Sequence, residues 1–216
     1  MSLDTLLKGV ADRLPTDAGP IGLLSGDEFL RPVADFDRRL LELTGARVGV
    51  IYCADHRAQP KSERYARTHF ERLGAHAFTL DMHSDERTDY DLAYIAGGSP
   101  RDLLEHLRDN PRWADVLTRW KEGSGLAGSS AGAMVLCART LTPEPGARVP
   151  TTWTDGVGPI DGICLGVHAS SRSRAWLEEV ARTAPAPLIA LDDATGMILR
   201  HAEQPEIIGP GEVWRV

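Results

Sequence analysis

The stretch Gly128-Ser129-Ser130-Ala131-Gly132 is where residue types and spacing most directly suggest covalent chemistry. It follows a short apolar run of strand type, Gly125-Leu126-Ala127. It leads into Ala131 to Ala138, small and apolar as a helix packed hard against a sheet must be. A serine on so sharp a strand-to-helix turn has its hydroxyl pushed out at the top of the sheet, and the flanking Gly128 and Gly132 allow close backbone approach. The N–H of Ala131 would then open a helix, where an unpaired donor and the helix dipole both stabilise an oxyanion. The same pattern also fits an ordinary Gly/Ser-rich turn, so the serine's partners must be sought elsewhere in the chain.

A serine hydroxyl is a weak nucleophile near neutral pH and needs a base, with a third group to orient that base. Among the seven histidines, His56, His69, His76, His83 and His106 sit in polar surroundings and are expected on the solvated surface; His201 is expected to be superficial. His168 differs. It ends the apolar run Ile163 to Val167 and is followed by Ala169-Ser170-Ser171-Arg172-Ser173-Arg174. A histidine at a strand end beside two arginines suits a cleft facing an acidic ligand. An acid follows a second apolar run, Leu188 to Leu191, at Asp192-Asp193-Ala194. The resulting order Ser130…His168…Asp193 departs from the Ser…Asp…His order of α/β-hydrolases.

The elements that must hold these residues alternate along the chain. Residues 1–14 read as a helix, Ile21 to Leu24 as a strand, and 32–44 as a helix stopped by Gly45. Val48 to Tyr52, Ala77 to Leu80 and Leu92 to Ala96 read as strands. Residues 60–73, 100–107 and 111–122 have helical spacing. Near-continuous apolar strands alternating with helices predict an α/β fold, a mostly parallel sheet covered on both faces. In such sheets chemistry collects at the carboxyl ends of strands, where both Ser130 and the Gly97-Gly98 loop fall. Beyond the elbow, residues 140–162 form a Pro-, Thr- and Gly-rich excursion, long for a simple loop and of lid length. After it come one helix (173–183) and several short strands, and no linker divides residues 1–216 into two domains.

Composition narrows the classes. The chain has 216 residues, 42% hydrophobic and 25% charged, as expected of a globular protein. A net charge of −7 without a Lys/Arg cluster argues against a nucleic-acid partner. The absence of any long apolar run argues against a membrane partner. The first residues carry acids and no signal-peptide core, which points to a cytoplasmic location. Cys53, Cys137 and Cys164 fall at no metal or disulfide spacing, and no cofactor or metal is expected.

Four segments together resemble the S51 serine peptidases, the family of aspartyl dipeptidases and cyanophycinases. Gly-Ser-Ser-Ala-Gly-Ala at 128–133 resembles the family's G-x-S-A-G-A elbow. Ala-Gly-Gly at 96–98 resembles its oxyanion loop. Gly166-Val167-His168-Ala169-Ser170 with Arg172 and Arg174 resembles its histidine segment, and Ile189 to Thr195 its I-G-I-D-E-x-T stretch. The resemblance implies a three-layer α/β/α sandwich similar to class I glutamine amidotransferases, flavodoxin-like in outline. It implies Ser130 as nucleophile, His168 as base and Asp193 as orienting acid. The N–H of Ala131 with that of Gly98 or Ser99 would form the oxyanion hole, and Arg172 or Arg174 would bind a substrate carboxylate. For the two arginines, a surface salt bridge to Glu178 or Glu179 is the competing expectation.

Three departures bear on specificity: Ser99 and Pro100 in the oxyanion loop, Val167 before the histidine, and an Asp where the family has Glu. The shorter Asp193 must approach His168 more closely, or Asp192 takes its place. The function this implies is a serine-type exopeptidase (a dipeptidase) for short peptides with N-terminal Asp. Its partners would be a small peptide and, at most, a second copy in a homodimer. The alternatives are a non-peptide amidase or esterase on the same scaffold, a catalytically silent ligand-binding homologue, and, furthest from the residues, a thiol enzyme using Cys53.

Overall fold

The computed structural model describes residues 1–52, 59–84, 88–142 and 152–216. Its first half alternates helix and strand: α1 Leu3–Ala11, β1 Ile21–Leu24, α2 Ala34–Thr44, β2 Arg47–Ile51, α3 Gln59–Arg72, β3 His76–Thr79 and β4 Leu92–Ile95. Then follow α4 Pro100–Leu107, α5 Pro111–Lys121, β5 Gly125–Ser129, α6 Ala131–Val135 and the short strands β6 Arg139–Leu141 and β7 Trp153–Asp155. The chain closes with β8 Cys164–Gly166, α7 Arg174–Thr183, β9 Leu188–Leu191, β10 Gly196–Leu199, β11 Glu206–Ile208 and β12 Val213–Arg215.

Local chemistry sets several of these boundaries. Ser99 caps α4 by accepting the N–H of Asp102 at 3.3 Å, and Asn110 caps α5 by accepting that of Arg112 at 2.9 Å. Each is followed by a proline, whose fixed φ suits the first helical position. Gly45 ends α2 with φ 137°, a conformation that L side chains rarely adopt.

Seven strands form the central sheet in the order β11-β10-β1-β5-β4-β2-β3. The five from β1 to β3 are mutually parallel; β10 and β11 extend the edge antiparallel. Alternation along the strands feeds two cores. Leu92 and Tyr94 join Phe36, Leu40 and Phe70 of α2 and α3 on one face, whereas Ala93 and Ile95 join Leu103, Trp113 and Trp120 of α4 and α5 on the other. The architecture is therefore the expected three-layer α/β/α sandwich around a mostly parallel sheet.

Beyond the main sheet, β8 and β9 pair in parallel and β12 adds antiparallel to β9, forming a separate small sheet. Two expectations are corrected. The elbow helix stops at Val135 rather than Ala138, because Cys137 bridges to Ile160 and the chain turns at once into β6. His69 is not on the solvated surface. It shares the buried face of α3 with Ala66 and Phe70, is 5% exposed, and contacts the wholly buried carboxyl of Asp37 at 2.7 Å. Within the 140–162 excursion, β6 and β7 form a two-stranded ribbon; residues 143–151 lie outside the described residues.

Candidate active site

Ser130 stands between β5 and α6 with φ 51° and ψ −119°, a left-handed backbone for a residue with a side chain. The glycines around it are required by close approach. A Cβ on Gly132 would stand 2.9 Å from the carbonyl oxygen of Ala96 and closer still to that of Ile95; one on Gly128 would stand 2.7 Å from the nitrogen of Ala133. The helix thus rests directly on the sheet, and strain is held at the serine by packing on both sides. Ala131 is the first residue of α6, so its N–H has no carbonyl to pair with inside the helix.

The small sheet supplies the other two groups. Because β8 and β9 are parallel and in register through Gly166 and Ala190, their carboxyl ends emerge side by side. His168 and Asp193 are both at that edge. His168 has φ 55° and ψ 40°, and its Nε2 lies 3.0 Å from Ser130 Oγ. Its Nδ1 lies 2.8 Å from Asp193 Oδ1. Asp192 is turned away: its carboxylate accepts the hydroxyl of Ser170 at 2.9 Å and the N–H of Glu212 at 3.0 Å. The shorter acid therefore reaches the imidazole directly. With Nδ1 protonated toward the carboxylate, Nε2 is free to accept the serine proton. Burial alone would raise the Asp193 pKa, but hydrogen bonds from His168 and Ser171 outweigh it and hold the carboxyl below its ordinary range.

A cleft of about 290 Å³ opens beside Ser130, with Gly98, Ala131 and His168 at its chemical end. Its walls are mostly apolar, including Met134, Leu141, Val167, Trp176 and Val180. Ser99 does not line it, being engaged as the cap of α4. The two arginines differ in reach. Arg172 lines the cleft, its guanidinium 4.9 Å from the ring centre of Trp176, and also borders a neighbouring surface hollow. Arg174 lines that hollow, with Asp192, Glu212 and Arg215, but not the cleft. Among the described residues neither arginine pairs with Glu178 or Glu179, and Glu179 is instead engaged by Arg182.

Three residues of the loop after β1 join the site without having been singled out by motif. The buried Ser25 hydroxyl accepts the N–H of His168 at 2.7 Å and donates to the carbonyl of Leu191 at 2.9 Å, tying β1 to both strands of the small sheet. Gly26 lies against the imidazole. Glu28 accepts the N–H of Gly97 at 3.0 Å and the hydroxyl of Ser129 at 2.9 Å. In the sequence, Ser25-Gly26-Asp27 reads only as a turn. Its place at the carboxyl end of a parallel strand beside β5 is the signal that marks it.

No group of His, Cys, Asp or Glu among the described residues could hold a metal ion. Burial pushes the thiols of Cys137 and Cys164 up, away from the reactive thiolate form. Cys53 and His56 lie outside the described residues. No described helix is long and apolar enough to cross a membrane.

The sheet and the residues at its carboxyl edge define a flavodoxin-like α/β protein with a serine on the turn from β5 to α6. The chain belongs to peptidase family S51, whose pattern matches residues 38–206, and it is accordingly a peptidase. Two solved structures share the fold. One, a peptidase from an acI-B1 actinobacterium, is 20% identical, with a TM-score of 0.71 over 94% of this chain and 99% of that one. The other, a candidate peptidase E from Listeria monocytogenes EGD-e, is 16% identical, with a TM-score of 0.68 over 90% and 100%. No curated protein matches the sequence.

Proposed function

We propose that this peptidase is a serine exopeptidase acting on short peptides, with Ser130 as nucleophile, His168 as base and then acid, and Asp193 as the group that orients and stabilises the imidazolium. One observation carries the reading: the continuous row from Ser130 Oγ through both ring nitrogens of His168 to Asp193 Oδ1, with contacts of 3.0 and 2.8 Å. In the first step Oγ attacks the scissile carbonyl carbon while its proton passes to Nε2. The oxyanion is held by the N–H groups of Ala131 and Gly98, both at the cleft. Collapse transfers the proton to the leaving amine, and water activated by the same nitrogen releases the acyl group.

For specificity we propose dipeptides with N-terminal aspartate. The support is Arg172, the cation lining the cleft, whose planar fork suits a carboxylate. The apolar walls favour a second reading, an amidase or esterase for a non-peptide substrate.

The test is hydrolysis of Asp-Xaa, Glu-Xaa and neutral dipeptides by the wild type and by Ser130→Ala, alongside labelling by a fluorophosphonate. Cleavage of the Asp set, reduced roughly 10⁴- to 10⁶-fold in kcat by the substitution, supports the proposal. Labelling of Ser130 without cleavage of any dipeptide transfers the assignment to the amidase or esterase reading.

A further inference from the structure

Glu28 is a half-buried carboxylate that makes no ion pair among the described residues, yet it stands at the centre of the site's framework. Its two oxygens are used for different partners: Oε1 accepts the Gly97 N–H, and Oε2 accepts the Ser129 hydroxyl. Gly97 begins the loop that carries Gly98, and Ser129 immediately precedes Ser130. One carboxylate therefore ties the loop holding Gly98 to the strand end holding Ser130 and Ala131, and both Gly98 and Ala131 line the cleft. The fit is close. A Cβ on Gly97 would lie 2.7 Å from Glu28 Oε1 and 3.3 Å from Ser130 Cβ, so that glycine is sandwiched between the two. The flanking Asp27 and Phe29 have φ of 59° and 65°, so the loop is bent into left-handed backbone on both sides of Glu28. Phe29 is anchored in the core against Phe70 and Tyr94.

We propose that Glu28 is a positioning residue that sets the separation between the Gly98 and Ala131 donors, and so the shape of the oxyanion hole. This rests on the reading of Ser130 as nucleophile. A negative charge behind the loop opposes an oxyanion in front of it, so the benefit of this carboxylate is geometric. Two acceptor atoms on one rigid fork, with no competing donor, fit that task. The distinction from a substrate-binding role is sharp. A carboxylate that bound the substrate's ammonium group would act through its charge and appear in KM; one that shapes the hole appears in kcat.

Glu28→Gln removes the charge but keeps an acceptor for Gly97, and its amide can face Ser129 Oγ, whereas Glu28→Ala removes both contacts. For acidic dipeptides, Glu28→Ala is expected to lower kcat about 10- to 100-fold with KM within about threefold, less than the loss of an oxyanion donor outright. Glu28→Gln is expected to restore kcat to within about threefold of wild type. Amide hydrogen exchange at Gly97 is expected to accelerate in the alanine variant and to stay protected in the glutamine variant, a comparison that also shows whether each variant is folded. Unchanged kcat or unchanged Gly97 exchange in Glu28→Ala overturns the proposal. So does a Glu28→Gln variant whose KM rises as far as that of the alanine variant. A wild type that cleaves no dipeptide and takes no fluorophosphonate defeats the nucleophile reading instead, and the Gly97 exchange then still decides the bridge.

Discussion

Gly26 packs against the His168 ring at Cε1: a Cβ there would overlap Cε1 and stand 2.9 Å from Nδ1 and 3.0 Å from Nε2. The easiest relief for any side chain at this position is for the imidazole to swing away from Ser130 and Asp193. Gly26→Ala is therefore expected to lower kcat/KM about 100-fold, the scale associated with misplacing a reacting group by about 1 Å. The thermal midpoint should move little, since the ring rather than the backbone yields. Wild-type turnover in Gly26→Ala would show that the imidazole geometry tolerates displacement.

Ser25 is buried with both hydrogen-bonding functions of its hydroxyl in use, toward His168 and Leu191. Ser25→Ala leaves a buried N–H and a buried carbonyl each short of a partner, at a cost of about 1–3 kcal/mol. Urea denaturation measures that loss. Because the N–H belongs to His168, turnover should fall together with stability, and a stability loss with full activity would separate the two roles.

The Asp37–His69 pair lies on the sheet face opposite α4, far from any expected surface role for a histidine. Burial pushes the Asp37 carboxyl up, while the hydrogen bond and charge of His69 act in the other direction. His69→Ala strands a buried carboxyl and is expected to cost about 3–5 kcal/mol in denaturant unfolding. Replacing both residues by leucine should recover much of that loss, because the desolvation cost then disappears with the pair. A double variant no better than His69→Ala would indicate that the pair is favourable in itself.

Asp193 carries the pH prediction. Its folded-state pKa is depressed, so its contribution to stability is fully present above the unfolded carboxyl value of about 3.9 and is lost as pH falls through the folded value. The window therefore lies at and below about pH 4, and within it stability rises with pH. Thermal midpoints measured across this range for wild type and Asp193→Asn should converge on the acid side and diverge above it. Parallel curves would mean that the hydrogen bonds from His168 and Ser171 do not favour the ionised form.

Much of this protein was readable before any fold was considered. Strand Ile21–Leu24, helix Pro100–Leu107 and strand Leu188–Leu191 fall at the residues their patterns indicate, because apolar period, proline and capping residues act over a few positions. The apolar pattern carries helix α6 three residues too far because Leu136, Cys137 and Ala138 are as apolar as the helix before them. Their pairing partner, Ile160, is far along the chain. The burial of His69 is hidden from the sequence for a similar reason. Its neighbours in sequence are charged, whereas its neighbours in space are Asp37, Phe29 and Phe70.

The sequence by itself determined the elbow, the alternation that builds a parallel sheet, and the placement of His168 and Asp193 just past apolar strands. These are local properties, set by backbone preference and by which residues can be buried. Only the tertiary structure decided that Asp193 rather than Asp192 meets the imidazole. It also decided that Arg172 lines the cleft and Arg174 only the hollow beside it, and that Ser25, Gly26 and Glu28 underpin the site from a turn more than 100 residues before Ser130. Those outcomes depend on β1 lying between β5 and β10 and on β8 pairing in parallel with β9. Strand order and register arise from packing the whole chain at once, and no short stretch of residues carries them.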